Sequence, residues 1–188
     1  MPFDPSQVYQ PEADTHLLLK AAQKEARASD RVLEVGTGSG TIAAGLEGVR
    51  CIIATDINPH AVASAREKGV PVVRTDLFNG ISGTFDLILF NPPYLPTRAE
   101  EQIDDWLEYA LDGGEDGRAV IGRFSAGLEP MLAPNGRVLL LISSLTGVDA
   151  VMDLFFRQGF IAEVVLEEVV EDEVLSVLRI TRFSRGET

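Results

Sequence analysis

Val32-Leu33-Glu34-Val35-Gly36-Thr37-Gly38-Ser39-Gly40 sets the architecture of this chain. An apolar run carrying one acid enters a turn with glycine at alternate positions, and Thr41 to Leu46 after it reads as a helix. Strand, glycine turn and helix in that order form the ligand-binding corner of an α/β sheet, because glycine takes positive φ readily and lets a ligand lie against bare backbone. A dinucleotide fingerprint, G-x-G-x-x-G counted from Gly36, requires glycine where this chain has Thr41. Glu34, two residues upstream of the turn, would repel a pyrophosphate but suits a cationic amino group met directly or through water. The ligand implied is adenosine-like and not a dinucleotide.

On either side of this stretch, apolar runs of strand length alternate with segments of helical period, the pattern of an α/β fold. Arg31 to Gly36, Cys51 to Thr55, Pro71 to Thr75, Phe85 to Phe90 and Gly136 to Ile142 read as strands of a sheet covered on both faces. Thr41 to Leu46, Pro59 to Lys68 and Arg118 to Leu132 read as helices, the last stopped by Pro134-Asn135-Gly136, and a further helix spans about Gly147 to Arg157. Ahead of the first strand, Ala13 to Arg27 has helical period, with Leu17, Leu18 and Ala21 on one face. Ile161 to Val169 and Glu173 to Thr181, joined by the acidic turn Val170-Glu171-Asp172, predict an antiparallel hairpin. The whole predicts a seven-stranded, mostly parallel sheet with one antiparallel strand in a C-terminal hairpin and helices on both faces.

Composition narrows the function. A length of 188 residues predicts one domain, 1–188, opening with an N-terminal helical segment over 1–30. No apolar run approaches the roughly 20 residues that cross a bilayer, and Met1-Pro2-Phe3-Asp4-Pro5 lacks the basic and apolar regions of a secretory signal, so cytoplasm is the expected compartment. Cys51, the only cysteine, lies in the apolar run Cys51-Ile52-Ile53-Ala54 and is expected to be buried; it makes neither a disulfide nor a zinc site. His16 and His60 are the only histidines, so a histidine-based triad has little to work with, and no metal site is expected. The net charge of −13 argues against broad attachment to nucleic acid and favours a protein or small-molecule substrate.

Two further acids fall where ligands bind in open α/β sheets. Asp56 closes the second strand about 20 residues after the glycine turn, the spacing at which a carboxylate accepts both ribose hydroxyls. Asp76, in Thr75-Asp76-Leu77-Phe78, can accept from an adenine amino group while Leu77 packs on the ring. Each acid alone could equally cap a turn. Three acids at the ends of successive strands favour a ligand site.

Asn91-Pro92-Pro93-Tyr94 follows the apolar run Phe85 to Phe90. Two prolines remove two backbone donors and fix φ, so an Asn side chain and adjacent carbonyls can be held rigidly at the open end of a strand. Such an acceptor-rich clamp suits the NH2 of an amide or an exocyclic amine, whose lone pair must be drawn out of conjugation before it attacks an electrophile. The Asn91 oxygen and the Pro92 carbonyl could take both N–H hydrogens, with Tyr94 stacked on the flat group. Taken alone, the motif reads better as a strand ending in a Pro-Pro turn with a Tyr packed over it.

Together these motifs resemble a family. The chain is similar to class I S-adenosylmethionine-dependent methyltransferases of the HemK-like group, which methylate the glutamine amide of the Gly-Gly-Gln motif in translation release factors. The resemblance is carried by Val8-Tyr9-Gln10-Pro11 with Asp14-Thr15, by Glu34 to Gly40, by Thr55-Asp56-Ile57-Asn58-Pro59, by Asp76-Leu77 and by Asn91 to Tyr94. Ala110-Leu111-Asp112-Gly113-Gly114-Glu115-Asp116-Gly117-Arg118 extends it downstream. It implies a Rossmann-like class I fold and S-adenosyl-L-methionine as cofactor, with Thr15, Glu34, Gly36, Asp56, Asp76, Leu77 and Asn91 in contact with it and segment 1–30 packed at its site. Asn91, Pro92, Pro93 and Tyr94 are the implied catalytic set, the last three facing the substrate amide. The short front and its Val-Tyr-x-Pro resemble the archaeal and eukaryotic branch, which lacks the N-terminal helical domain of bacterial members. In that branch a small zinc-binding activator pairs along the third-strand edge, which makes Val70, Val72 and Val73 interface candidates.

Two other readings stand beside this one. The same clamp serves adenine N6 in DNA or RNA, but a flipped base needs phosphate-binding cations, for which Arg98, Arg118 and Arg123 are the candidates near the motif. A non-catalytic cofactor-binding module predicts a damaged clamp, whereas Asn91 to Tyr94 is intact. Trp106, in the acidic stretch Glu100 to Glu108, reads equally as core packing or as a cover over the substrate.

Overall fold

The computed structural model describes residues 3–97 and 105–183. Its strands are Arg31–Val35 (β1), Cys51–Asp56 (β2), Val72–Arg74 (β3), Phe85–Phe90 (β4), Leu132–Ser143 (β5), Phe160–Val170 (β6) and Glu173–Arg182 (β7), in the spatial order β3-β2-β1-β4-β5-β7-β6. The first five pair in parallel, and β7 runs antiparallel to both β5 and β6. The predicted seven-stranded sheet with one reversed strand is therefore the observed one. Helices Ala13–Glu25 (α1), Thr41–Gly45 (α2), Pro59–Glu67 (α3), Trp106–Tyr109 (α4), Ala119–Gly127 (α5) and Val148–Arg157 (α6), with short 3-10 helices at Pro5–Gln7 and Ser144–Thr146, complete the described elements.

Period-two alternation sends neighbouring side chains to opposite faces, and both faces are covered. Val32, Leu87, Leu89, Leu139 and Leu141 meet Leu17 and Leu18 of α1. Leu33, Val35, Ile88, Phe90, Leu140 and Ile142 meet Phe124 of α5 and Phe155 of α6. Phe90 stacks on Phe124 with ring centroids 4.5 Å apart, which closes the second core directly beneath the end of β4.

Register sets the working edge. Val35 lies opposite Thr55 on one side and Phe90 on the other, so Gly36, Asp56 and Asn91 leave the sheet at the same level. Helix α3 starts there because Asn58 accepts from the His60 N–H at 2.8 Å and Pro59 occupies the first turn. Gly40, with φ +79°, caps α2 where a side chain has no room, since an added Cβ would lie 2.8 Å from the Cα of Ala65 in α3.

Several expectations need correction. Helix α5 ends at Gly127 and not at Leu132, because Pro130 disfavours helical φ/ψ at Glu129 and Leu132 is drawn into the sheet opposite Phe85. Pro134-Asn135-Gly136 is not a helix stop but lies inside β5, where the register jumps from Leu132 opposite Phe85 to Arg137 opposite Leu87. Cys51 is exposed, not buried, because β2 becomes fully covered only over its last three residues. Val70 is buried in a small cluster with Ala43, Ala54 and Ala65, and so is no interface residue; its N–H bonds the Ala65 carbonyl and folds the turn into β3 inward. Among the described residues no helix is long and apolar enough to cross a membrane.

Candidate active site

A pocket opens at the C-terminal ends of β1, β2 and β4. Thr15, Glu34, Gly36, Asp56, Asp76, Leu77, Asn91, Pro92 and Pro93 all line it. Tyr94 does not; its partly exposed side chain packs against the Leu87, Leu89 and Leu141 side of the core just beyond the lining. Tyr9, Thr37, Trp106, Tyr109 and Arg123 also form the wall, so Trp106 belongs to the pocket and not to the core. The Trp106 backbone N–H donates to Gln7 Oε1 at 3.0 Å, and the Arg74 guanidinium lies 5.9 Å from the Trp106 ring centroid. Residues 98–104, which include Arg98 and much of the acidic stretch before Trp106, lie outside the described residues.

On the glycine-turn side, Glu34 is buried at the end of β1. Its Oε2 accepts from the Thr37 hydroxyl at 2.7 Å and from the Ala43 N–H at 3.1 Å, and among the described residues no hydrogen bond reaches Oε1. Burial pushes its carboxyl up to about 8, against those two hydrogen bonds. A buried acid that ionises only with difficulty is suited to a cation placed beside it. Asp56 accepts from the Gly38 N–H and the Asn58 N–H, both at 2.8 Å, one at each oxygen. Burial raises its pKa too, and the backbone donors oppose the rise. Each Asp56 oxygen keeps a lone pair for a ligand hydroxyl. Asp76 is paired with Arg123, a partner that nothing in the local sequence announces. Leu77 holds a left-handed φ of +49°, uncommon for a branched residue.

At the other end, the Asn91 Nδ2 donates to Asp14 Oδ2 at 2.9 Å, while the Asn91 Oδ1 is buried and, among the described residues, has no hydrogen-bond partner. Asp14 is only 3% exposed in the first turn of α1. It also accepts from the Tyr9 hydroxyl at 3.1 Å and, through Oδ1, from the Thr15 N–H at 2.5 Å and the Thr15 hydroxyl at 3.2 Å. Burial and then the Asp14 charge hold the phenols of both Tyr9 and Tyr94 well above the ordinary tyrosine range. Tyr9 and Asp14 belong to the front motif, but no local spacing ties either of them to Asn91.

The backbone leaving the Pro-Pro turn is pinned from several sides. Gly113 N–H donates to the Leu95 carbonyl at 2.9 Å, and Thr97 N–H donates to the Gly114 carbonyl at 3.0 Å. The Thr146 hydroxyl donates to the Tyr94 carbonyl at 3.3 Å, and Arg118 fastens Thr146 by donating to its carbonyl at 2.6 Å. Gly117, at φ +72°, approaches so closely that a Cβ there would overlap the Tyr94 oxygen. The Gly-Gly-x-x-Gly-Arg loop is thus the buttress of Asn91 to Tyr94.

Comparison with known proteins agrees with this geometry. Residues 10–107 match the model of the methyltransferase small domain family. A Methanocaldococcus jannaschii protein provisionally named protein N5-glutamine methyltransferase is 40% identical over 184 residues, covering 94% of this chain and 92% of its own. Human methyltransferase HEMK2 is 33% identical over 194 residues, covering 94% and 91%. Among solved structures, the E. cuniculi Mtq2-Trm112 complex, responsible for methylation of the eRF1 translation termination factor, aligns with TM-score 0.79 at 28% identity, covering 94% of this chain and 99% of that one. With a seven-stranded sheet of this order and a pocket of this build, the chain belongs to the HemK-like class I methyltransferases.

Proposed function

We propose that this enzyme transfers a methyl group from S-adenosyl-L-methionine to the side-chain amide nitrogen of the glutamine in the Gly-Gly-Gln motif of a class-1 translation release factor. The observation that carries the proposal is the Asn91 Oδ1, buried and, among the described residues, without a hydrogen-bond partner, on a residue that lines the pocket. A buried acceptor without a donor costs about 1–3 kcal/mol, so the site is built to be completed by an N–H. The similarity to a named N5-glutamine methyltransferase and to the eRF1-methylating complex supports the same acceptor.

The residues present fit the cofactor. When bound, it supplies an electrophilic methyl group on a sulfonium centre. Glu34 would meet its amino group, and the two oxygens of Asp56 its ribose hydroxyls. Asp76 would take the adenine amino group, sharing its carboxylate with Arg123, while Leu77 packs on the ring. Thr15, Asn91 and the bare backbone at Gly36 would complete the contacts. Segment 1–30 would act as part of the one domain, closing the pocket through Tyr9 and Thr15.

At the acceptor end, Asn91 Oδ1 and the Pro92 carbonyl hold the two amide hydrogens, which localises the nitrogen lone pair. Pro93 keeps the turn rigid, and Tyr94, half-exposed beyond the lining, fixes the plane of the incoming group. Orientation provides most of the acceleration, with an electrostatic share from acceptors aimed at the charge developing on nitrogen. As the N–C bond forms at the expense of the methyl group's bond to sulfur, nitrogen carries an extra proton, which leaves after transfer, so no general base is needed beforehand.

A small zinc-binding activator would pair along β3, the edge strand of the sheet, where Val73 is 45% exposed and Val72 half-buried. The adenine-N6 reading is weaker: Arg118 is engaged by Thr146 and Asp116, Arg123 by Asp76, and the net charge is −13. The test is transfer of label from S-adenosylmethionine to a class-1 release factor, with and without the activator. Label on the Gly-Gly-Gln glutamine, lost in a Gln→Ala release factor, is the expected result. Label on an oligonucleotide adenine instead would overturn it.

A further inference from the structure

We infer that Asp14 is the positioning residue that decides which end of the Asn91 amide faces the acceptor. The inference rests on the reading above, in which Asn91 accepts a hydrogen from the substrate. An Asn side chain presents an oxygen and an NH2 of nearly equal size, and which one faces a ligand depends on what the other end meets. Here the other end meets Asp14 at 2.9 Å. Every group that meets that carboxylate is a donor: the Tyr9 hydroxyl, the Asn91 NH2, the N–H and hydroxyl of Thr15, and the Tyr94 phenol beside them. Surrounded by donors, it acts toward all of them as an acceptor. An Asn91 oxygen turned toward it would be repelled, so the NH2 must face Asp14, and Oδ1 must face the pocket. Rotation of the amide by half a turn would present an NH2 to the substrate NH2 and convert the clamp from acceptor to donor.

The same contact joins the two halves of the site. Asp14 and Thr15 are adjacent in the first turn of α1, and Thr15 lines the pocket while Asp14 orients Asn91, 77 residues away in sequence. The front segment therefore sets the polarity of the acceptor clamp as well as closing the pocket.

The test compares Asp14→Asn, Asn91→Asp and the double variant with wild type. It reads S-adenosylhomocysteine affinity, kcat on the release factor, and the Asn91 side-chain amide signals by 15N NMR, assigned by their loss in Asn91→Ala. In Asp14→Asn, kcat falls about 100-fold while S-adenosylhomocysteine affinity stays within about threefold of wild type. The Asn91 amide signals shift and lose protection from exchange. In the double variant the two groups exchange places: the amide introduced by Asp14→Asn donates to the carboxylate introduced by Asn91→Asp, which again offers an oxygen to the pocket. There kcat recovers about tenfold over Asn91→Asp alone. A merely structural Asp14 would restore thermal stability in the double variant but not kcat. Unmoved Asn91 amide signals, or unchanged kcat, in a folded Asp14→Asn protein would overturn the inference. Amide signals that move as expected in an enzyme that methylates no glutamine would leave Asp14 as the orienting group and sink the glutamine reading instead.

Discussion

Glu34→Gln removes one buried ionisable group from the pocket, and its consequence is a change in how ligand binding depends on pH. The Glu34 carboxyl is pushed up to about 8 by burial, and the α-amino group of the ligand, beside its own carboxylate, keeps its proton to higher pH. Pairing requires ionised Glu34 and a protonated amine, a state that holds one proton between the two groups. Below about pH 8 the competent pair is limited by ionisation of Glu34, so S-adenosylhomocysteine affinity should rise by at least roughly tenfold between pH 6 and 8, and fall again once the amine loses its proton at higher pH. Calorimetry in buffers of different ionisation enthalpy should show release of close to one proton at pH 6, where the free groups hold about two. In Glu34→Gln the rise between pH 6 and 8 should vanish. Methylthioadenosine, which lacks the amino group, should show no maximum even with wild type. Flat affinity across this range, with no proton released, would refute the placement of a cation at Glu34.

The sign for stability is opposite. A carboxyl whose folded pKa is raised keeps its full contribution below the unfolded value and loses it as pH climbs through the folded one. The ligand-free protein should therefore lose stability between about pH 4.5 and 8, by up to roughly 5 kcal/mol. Glu34→Gln, whose amide oxygen can still accept from Thr37 and Ala43, should melt near wild type at pH 5 and above it at pH 9.

Asn91→Ala should abolish detectable methyl transfer while S-adenosylhomocysteine affinity stays within about threefold, since it removes an acceptor matched to the reacting nitrogen; unchanged turnover by mass spectrometry of the release factor would count against the clamp. Gly117→Ala should cost about 1–3 kcal/mol in melting experiments and depress kcat, because its Cβ would overlap the Tyr94 oxygen and its φ is +72°; wild-type turnover would mean that the loop does not buttress the clamp. Arg137 is buried with Asp30 at 2.8 Å and also reaches Glu25 and the Asp86 carbonyl, so Arg137→Ala should destabilise by about 3–5 kcal/mol in chemical denaturation; a loss within error would show that those carboxylates find other partners.

Much of the fold follows from local pattern. The run from Val32 to Gly40 specifies a strand and a turn of positive φ because both requirements are met by neighbours in sequence, and the apolar runs around it alternate as a doubly covered sheet demands. The hairpin at β6 and β7 was equally legible from its short acidic turn. The glycine turn, Asp56 and Asn91 were identifiable because each ends a strand, and in a parallel sheet strand ends of one sense share an edge.

Other features were set by residues remote in the chain. Periodicity records which residues are apolar but not where helices cover the sheet, so Cys51 emerged exposed at the uncovered start of β2, while Val70 turned inward beneath α3. Pairing of Asp76 with Arg123, closure of Gly117 against the Tyr94 carbonyl and orientation of Asn91 by Asp14 all join segments distant in sequence. Residue order along the chain was thus enough for the sheet, the edge on which ligands bind and the types of group placed there. Which lone pairs remain open was settled only by folding, because hydrogen-bond saturation depends on partners that the folded chain brings within about 3 Å.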